Sequence, residues 1–394
     1  MTTLGPTVSA AHPSGIISGW RYRLLELKLL RQMARVAFRS YAQPYQAWQA
    51  MRGQITVNLQ YRSACQVTKA VRINGRIYLQ MVFPQLFSPA ASAVVTNELH
   101  KNVPIPGHQP GLTKILLAIT KKCSLQCAHC YEWDALNGRE SLTAEDILAI
   151  IRKFQVNGVG TIELGGGEPL NRFGDLLRIL QESDTEQTDF WITTSGYRLS
   201  ADRALALREA GMVGAAVSLD HWDAAAHDRF RGMEGSFEWA RQAVQNARAA
   251  GLAVCLALTA VREFCTPEHL WRYAQLAREW GAHFIRILEP IPVGHFAGHD
   301  VLLRPAEIAV LEDFVRKIQR ERAYRDFPVV EYYAPNQRQV GCAGAGKRFL
   351  YVDTDGEMHA CPFCRNKCGS AVHGSIETGI ANMKQANSCR LQSV

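Results

Sequence analysis

From residue 114 to residue 288 the sequence alternates short apolar, β-rich runs with amphipathic helical stretches, and few folds accept such a pattern. Parallel strands, each returned to the next through a helix packed on the sheet, are the common solution. Six runs read as strands: 114–120, 161–164, 190–193, 214–218, 254–260 and 284–288. The helical stretches between them carry their own punctuation. Thr143 caps one that stops at Gly158, Ser200 opens one that stops at Gly211, and Ser236 opens one that stops at Gly251. Thr266-Pro267 starts the last, with proline at a position that needs no amide hydrogen bond, and Gly281 ends it. The fold class this predicts is α/β, a partial (β/α)6 TIM-like barrel. Barrels of this kind place their active sites at the carboxyl ends of the strands, so chemistry is expected just after each run.

The flanks read differently. In residues 20–37, Leu25, Leu29, Met33 and Val36 share one helical stripe with arginines around it, which predicts a helix docked on the surface. Residues 71–78 alternate about Asn74-Gly75 and predict a hairpin, and the three prolines of 102–110 predict a linker into the barrel. A chain of 394 residues, 47% of them hydrophobic, can bury one large domain and one or two smaller ones. The division expected is a basic N-terminal α+β extension over 1–111, the barrel over 112–325 and a C-terminal unit over 326–394.

Charge narrows the setting. The net charge of +8 lies almost wholly in residues 1–62, where eight basic residues (Arg21, Arg23, Lys28, Arg31, Arg35, Arg39, Arg52 and Arg62) oppose Glu26 alone. The remainder is nearly neutral, so a nucleic-acid partner is not expected. No apolar run reaches the roughly 18 residues that would span a bilayer, and the first residues lack a signal peptide's apolar stretch. The location expected is the cytoplasm, with peripheral membrane association through the basic N-terminal helix as an alternative.

Eight of the eleven cysteines fall in two groups, while Cys65, Cys255 and Cys265 stand apart. Grouped cysteines in such a chain bind metal more often than they form disulfides, whereas Cys255, inside an apolar run, reads as a small buried hydrophobe. The first group is Cys123-Ser-Leu-Gln-Cys127-Ala-His129-Cys130-Tyr131, three thiols within eight residues after the first strand. Three cysteines hold three irons of a [4Fe–4S] cube and leave the fourth iron without a protein ligand. A zinc site is the alternative for the cysteines taken alone.

The spacing Cys-x3-Cys-x2-Cys followed by an aromatic residue resembles the signature of the radical S-adenosylmethionine (SAM) superfamily. The resemblance implies that the open iron chelates the amino and carboxylate groups of SAM and passes it one electron. The C5′–S bond then breaks to methionine and a 5′-deoxyadenosyl radical, which takes a hydrogen atom from the substrate. Gly165-Gly166-Gly167-Glu168-Pro169 follows the second strand, and Gly166, Gly167 and Glu168 resemble the family's Gly-Gly-Glu element, which receives the SAM amino group. Thr193-Thr194-Ser195-Gly196 resembles the family's ribose-contacting Thr-Asn-Gly segment, with Ser195 in place of Asn, which implies Thr194 and Ser195 as SAM contacts. Ser218 and Arg231 resemble the serine and arginine with which SPASM-type relatives hold SAM, the arginine meeting its carboxylate; Arg229 competes for that role. Tyr131 completes the SAM-binding set. Arg286-Ile-Leu-Glu289-Pro290 through Gly294 resembles the family's sixth-strand end near SAM and substrate.

In the second group, Cys342, Gly356 and Cys361 are separated by thirteen and four residues. That spacing resembles the opening of the SPASM and twitch auxiliary-cluster domains. Cys364, Cys368 and Cys389 complete the group. Five thiols are too few for two [4Fe–4S] clusters, so one auxiliary [4Fe–4S] cluster is implied, with Cys342 and Cys361 as ligands and two more drawn from Cys364, Cys368 and Cys389. A four-thiolate zinc site is the alternative.

The activity implied is that of a radical SAM oxidoreductase or maturase. Relatives with such auxiliary domains often modify a peptide or protein side chain, and the family draws its electron from a flavodoxin or ferredoxin. The alternatives are a lipid-linked or small-molecule substrate at the membrane surface, and a non-catalytic iron–sulfur electron carrier. Tyr131, Asp220 and Glu289 lie at strand ends, and none is singled out as the catalytic acid or hydrogen donor.

Overall fold

A computed structural model describes residues 15–60, 66–108, 111–342 and 344–385. The chain opens with β1 (Ile16–Ile17), α1 (Trp20–Ser40), α2 (Pro44–Gln60), the hairpin β2 (Ala70–Ile73) and β3 (Arg76–Tyr78), and α3 (Pro89–Asn102). The barrel then runs β4 (Lys114–Thr120), α4 (Ala144–Val156), β5 (Thr161–Gly166), α5 (Phe173–Glu182), β6 (Asp189–Thr194), α6 (Ala201–Glu209) and β7 (Met212–Ser218). It continues with α7 (Ala224–Arg231), α8 (Ser236–Ala249), β8 (Ala253–Thr259), α9 (Pro267–Glu279), β9 (Phe284–Leu288) and α10 (Pro305–Arg320). Last come β10 (Val329–Tyr332), α11 (Ala334–Val340), β11 (Phe349–Val352), β12 (Met358–His359) and α12 (Ile376–Gln385).

One open sheet carries the barrel, in the order β10-β9-β8-β7-β6-β5-β4-β11-β12, parallel throughout except for the β11–β12 pair. All six expected strands are present, and the fold is the partial TIM-like barrel expected. β10 pairs with β9 and β11 with β4, so residues on both sides of residue 325 share one sheet.

Local chemistry starts the helices where the sequence predicts. Thr143 and Asp146 form a reciprocal capping box at α4, while Ser200 and Thr266 accept the first free amides of α6 and α9. α8 begins at Ser236 as expected, with Gly235 at its cap in a left-handed conformation with φ 82°.

The extension closes the amino end of the barrel. Asn74 and Gly75, with φ of 49° and 81°, form the tight turn of the hairpin, and the Asn74 amide donates to the Gly251 carbonyl at 2.8 Å. Val71, Ile73, Tyr78 and Met81 pack among Trp191, Val213, Phe284 and Val329, which stand near the starts of their strands. A buried charged layer crosses the barrel interior beside them. Arg286 bonds Glu163 at 2.9 and 3.0 Å, approaches Glu331 at 3.5 Å, and Lys114 also pairs with Glu163. Burial would raise the Glu163 pKa, but Arg286 and Lys114 outweigh it and hold the group below the usual carboxylate range. With the amino end filled, access is left to the carboxyl ends of the strands.

Lys69 fastens the extension to the barrel. Its ammonium donates to the carbonyls of Tyr324 at 2.6 Å and Phe327 at 3.2 Å, and burial pulls its pKa down to about 7. An unfolded lysine keeps its proton to about pH 10.4, so between pH 7 and 10 the unfolded state binds one more proton and stability rises with pH. Lys69→Met is expected to remove that contribution, a slope of about 1.4 kcal/mol per pH unit, read from urea midpoints of variant and parent across this range.

Candidate active site

The Cys123–Cys130 loop leaves the carboxyl end of β4 and is held from three sides by backbone. Gly167 and Glu168 donate amides to the carbonyls of Thr120 and Lys122, each at 2.8 Å. Residues at the end of α7 accept from Gln126 at 3.1 Å and Ala128 at 2.9 Å, and His295 donates its amide to Cys130 at 2.9 Å. Each of these supports is next to a glycine that leaves no room for a side chain. A Cβ on Gly167 would meet Lys122 O at 2.5 Å, one on Gly232 would meet Gln126 O at 2.8 Å, and one on Gly294 would meet Cys130 O at 2.2 Å. The glycine turn therefore answers first to the cysteine loop itself. Gly166, with φ 118°, likewise approaches Thr120 O within 2.6 Å of its missing Cβ. The His295 ring stacks on Trp133 at 3.7 Å and donates from Nδ1 to the Cys127 carbonyl at 2.9 Å.

All three thiols are free, and each lies within the electrostatic reach of the others. Burial pushes the Cys123 thiol up to about 11 and the Cys130 thiol up to about 12. Of the two arginines that compete for one role, Arg231 is buried at the end of α7, whereas Arg229 faces solvent. One terminal nitrogen of Arg231 donates to Cys127 Sγ at 3.5 Å and the other lies 2.6 Å from Asp220, while its Nε has no partner among the described residues. Asp220 also meets His129 at 3.4 Å and accepts the Thr259 amide at 2.8 Å. Burial would raise the Asp220 pKa, and Arg231, helped by His129, holds it well below the usual range. Burial, reinforced by Arg231, lowers His227 to about 4, and its Nδ1 accepts the Asp220 amide at 3.1 Å.

Glu168 is also buried, and its carboxylate is fully engaged. It accepts from Leu170 N at 3.1 Å, Thr194 Oγ1 at 2.8 Å, Ser195 N at 2.8 Å and Ser195 Oγ at 2.6 Å. Burial raises its pKa against the pull of those bonds. The ends of β5 and β6 are thus locked to each other through the residues picked out in the sequence. Ser218 stands half-buried at the end of β7. Glu289 is held by the Tyr332 hydroxyl and by Arg338 at 2.8 Å.

The C-terminal thiols lie beside this loop. Tyr131 meets Tyr351 and Phe363 edge to face, with ring centroids 5.9 and 6.2 Å apart. Glu132, buried, accepts from the Tyr351 hydroxyl at 2.7 Å and from Arg365 at 3.3 Å. Cys361 and Cys364 bring their sulfurs to 3.3 Å, and the contact with Cys364, with burial and then Cys342, raises the Cys361 pKa. Cys368 is buried against the main apolar core within electrostatic reach of Cys364, and Cys389 lies outside the described residues. Cys255 and Cys265 are buried, and Cys65 lies outside the described residues.

The residues fit the group their spacing suggests. Three free thiols on one braced loop can supply three corners of a cube, and the open Arg231 Nε is a buried donor awaiting an acceptor. A cube meets its thiolates at separate corners; among the described residues no three His, Cys, Asp or Glu side chains are gathered as closely as a single ion requires. His129, Glu132 and Gly232 were not picked out as parts of this site, whereas Asp220 and Gly294 were placed at strand ends.

Residues 117–277 match the model of the radical SAM superfamily, a span that holds the cysteine loop, the glycine turn and the Thr194-Ser195 segment. GTP 3′,8-cyclase of Moorella thermoacetica is 32% identical over 266 residues, covering 65% of this chain and 77% of that one. Mycofactocin maturase of Mycobacterium tuberculosis is 28% identical over 253 residues, covering 62% and 63%. The chain spans only about three fifths of the length of some such relatives, 61% for the GTP 3′,8-cyclase of Marinobacter nauticus. In fold, SuiB of Streptococcus suis bound to the precursor peptide SuiA matches with a TM-score of 0.56 at 13% identity, covering 90% of this chain and 72% of that one. With the motif loop, the barrel and the relatives in agreement, the chain belongs to the radical SAM superfamily, whose enzymes work with a [4Fe–4S] cluster and SAM.

Proposed function

We propose that the chain cleaves SAM reductively at a [4Fe–4S] cluster held by Cys123, Cys127 and Cys130, and uses the resulting radical to modify a peptide or protein side chain. The observation that carries the substrate class is the packing of the C-terminal thiol loop onto the cluster loop through Tyr131–Phe363 and Glu132–Arg365. Thiols placed there suit an auxiliary [4Fe–4S] cluster next to the reacting substrate. The peptide-bound structural neighbour and the maturase among the relatives support the same reading. Cys342, Cys361 and Cys364 are the ligands the geometry favours, with Cys368 or Cys389 as the fourth.

When bound, the cluster supplies one electron, delivered by a flavodoxin or ferredoxin, to break the C5′–S bond of SAM. The residues around it hold and orient. Arg231 offers its free Nε to the SAM carboxylate, and Asp220 fixes the guanidinium that does so. Glu168, its acceptor positions filled, acts as a positioning residue that sets Thr194, Ser195 and the backbone of Gly166 and Gly167 about SAM. Ser218 and Tyr131 complete the enclosure from β7 and the cysteine loop. The second reading, work at a membrane surface, rests on the exposed apolar face of α1 and α2 rather than on this site.

Anaerobic reconstitution followed by SAM and dithionite is expected to yield 5′-deoxyadenosine and to load about eight irons per chain, four on each cluster. Zinc in place of the second set of four would convert the auxiliary site to a structural one. Adding the right peptide should accelerate 5′-deoxyadenosine release and change the peptide's mass. Turnover of a small molecule with every peptide left unchanged overturns the peptide reading.

A further inference from the structure

Nine of the thirteen large hydrophobic side chains that remain exposed among the described residues lie on α1 and α2. On α1, Trp20, Leu24, Leu27 and Phe38 follow one helical stripe, opposite the face that buries Tyr22, Leu25 and Met33. On α2, Trp48 and Leu59 belong to a matching stripe, and an edge-to-face contact between Phe38 and Trp48, centroids 6.4 Å apart, joins the two. Trp20, Trp48 and Leu27 are 69%, 64% and 54% exposed, far beyond an isolated surface leucine. Among these side chains stand Arg21, Lys28, Arg31, Arg35, Arg39 and Arg52, all exposed, with Glu26 the one acid on either helix.

We propose that this face docks on an anionic membrane surface and that it anchors the enzyme without presenting the bilayer to its active site. The proposal rests on the membrane-surface reading and specifies its geometry. Apolar and tryptophan side chains interleaved with arginines match the acyl boundary and the charged headgroups together. A second copy of the chain fits poorly, because apposing the face to itself would set arginine against arginine. No helix of the described residues is long and apolar enough to cross a membrane, so the contact is peripheral.

The placement of these helices decides what the membrane does. α1 packs on Ala70 and Leu86, and with α2 on Leu99 of α3. The hairpin and α3 in turn lie against the amino ends of the barrel strands, where Asn74 meets Gly251, Asn97 meets Gly158 and Glu98 meets Arg348. The cysteine loop is at the opposite ends. β4 alone has seven residues, so the mouth stands about 20 Å or more from the docking unit. A bilayer under α1 and α2 leaves the mouth open to water, which fits a water-borne peptide and excludes a lipid that must stay embedded.

The test is co-sedimentation of the reconstituted full chain with vesicles of phosphatidylcholine plus phosphatidylglycerol and with vesicles of phosphatidylcholine alone. The parent is expected to bind the anionic vesicles at least tenfold more tightly, and less so as salt rises. Leu24→Glu/Leu27→Glu/Trp48→Glu should lose that binding, while keeping the parent's thermal midpoint and rate of 5′-deoxyadenosine formation. Because all three side chains are exposed, Lys28→Gln/Arg31→Gln/Arg35→Gln provides a second variant with no apolar change, and it should bind at least tenfold more weakly. If the parent binds vesicles and both variants bind equally well, the face is wrong although the membrane reading stands. If the parent binds neither vesicle, or is a dimer that only the triple-Glu variant dissociates, the membrane reading fails too. Activity that requires vesicles and a lipid substrate overturns the anchoring role.

Discussion

Replacing Cys127 alone by serine is expected to abolish 5′-deoxyadenosine formation while leaving the fold intact. Cys127 is the buried member of the triad, with its sulfur accepting from Arg231 at 3.5 Å. Serine fills nearly the same space, and the loop backbone keeps its hydrogen bonds to Glu168, Arg231 and His295. Two thiols cannot retain a cube whose fourth iron is already open, so iron content should fall by about four per chain. Loss of an outer-shell partner commonly costs 10–100-fold, and losing a ligand should exceed that. Cys255→Ala makes the matched control: Cys255 is fully buried among apolar side chains at the closed end of the barrel. It should keep both iron and activity. Iron retained by Cys127→Ser with SAM cleavage near the parent rate would remove the triad from the mechanism.

How much of this was legible in advance depended on how local each cause was. The six central strands and the caps at Thr143, Ser200 and Thr266 follow from signals a few residues long, and they were readable. β10 was not: it is four residues carrying Glu331, a residue that would argue against a buried strand. The carboxylate is accommodated by Arg286, 45 residues earlier, and by the Met81 amide at 2.5 Å, 250 residues earlier, neither of which a local reading can supply. α2 and α3 were missed despite ordinary start signals, Pro44 at one and Ser88-Pro89 at the other. At the site, residue types were readable and partners were not. Gly232 and Gly294 are each fitted to a loop more than 100 residues away in sequence, which no local signal announces. Ser195 is bonded to Glu168, a partner that no local signal names, because two strand ends meet there. Glu132, next to Tyr131, joined the site only through Tyr351 and Arg365.

Arg231→Met should cost about 3–5 kcal/mol of stability, because it leaves the buried Asp220 carboxylate without its main counter-charge. The size of the loss comes from the stranded charge more than from the contact itself, so adding Asp220→Asn to the same chain should recover most of it. The pH dependence separates this from a packing effect. In the parent, Arg231 keeps the folded Asp220 pKa below that of the unfolded chain, near 3.9. The pair's contribution is therefore complete above about pH 4 and is lost as pH falls further, through the folded pKa. Without Arg231, burial is left to dominate and raises that pKa above the unfolded value. The variant then binds an extra proton on folding, and its stability should rise as pH drops from 7 toward 4. Urea midpoints of the variant that rise relative to the parent's as pH falls over that interval are the expected result, because the pair adds no slope to the parent there, together with a raised KM for SAM from the lost Nε donor. Parallel slopes would mean that Arg231 and Asp220 are not electrostatically coupled, and a KM left unchanged would take the arginine out of the SAM site.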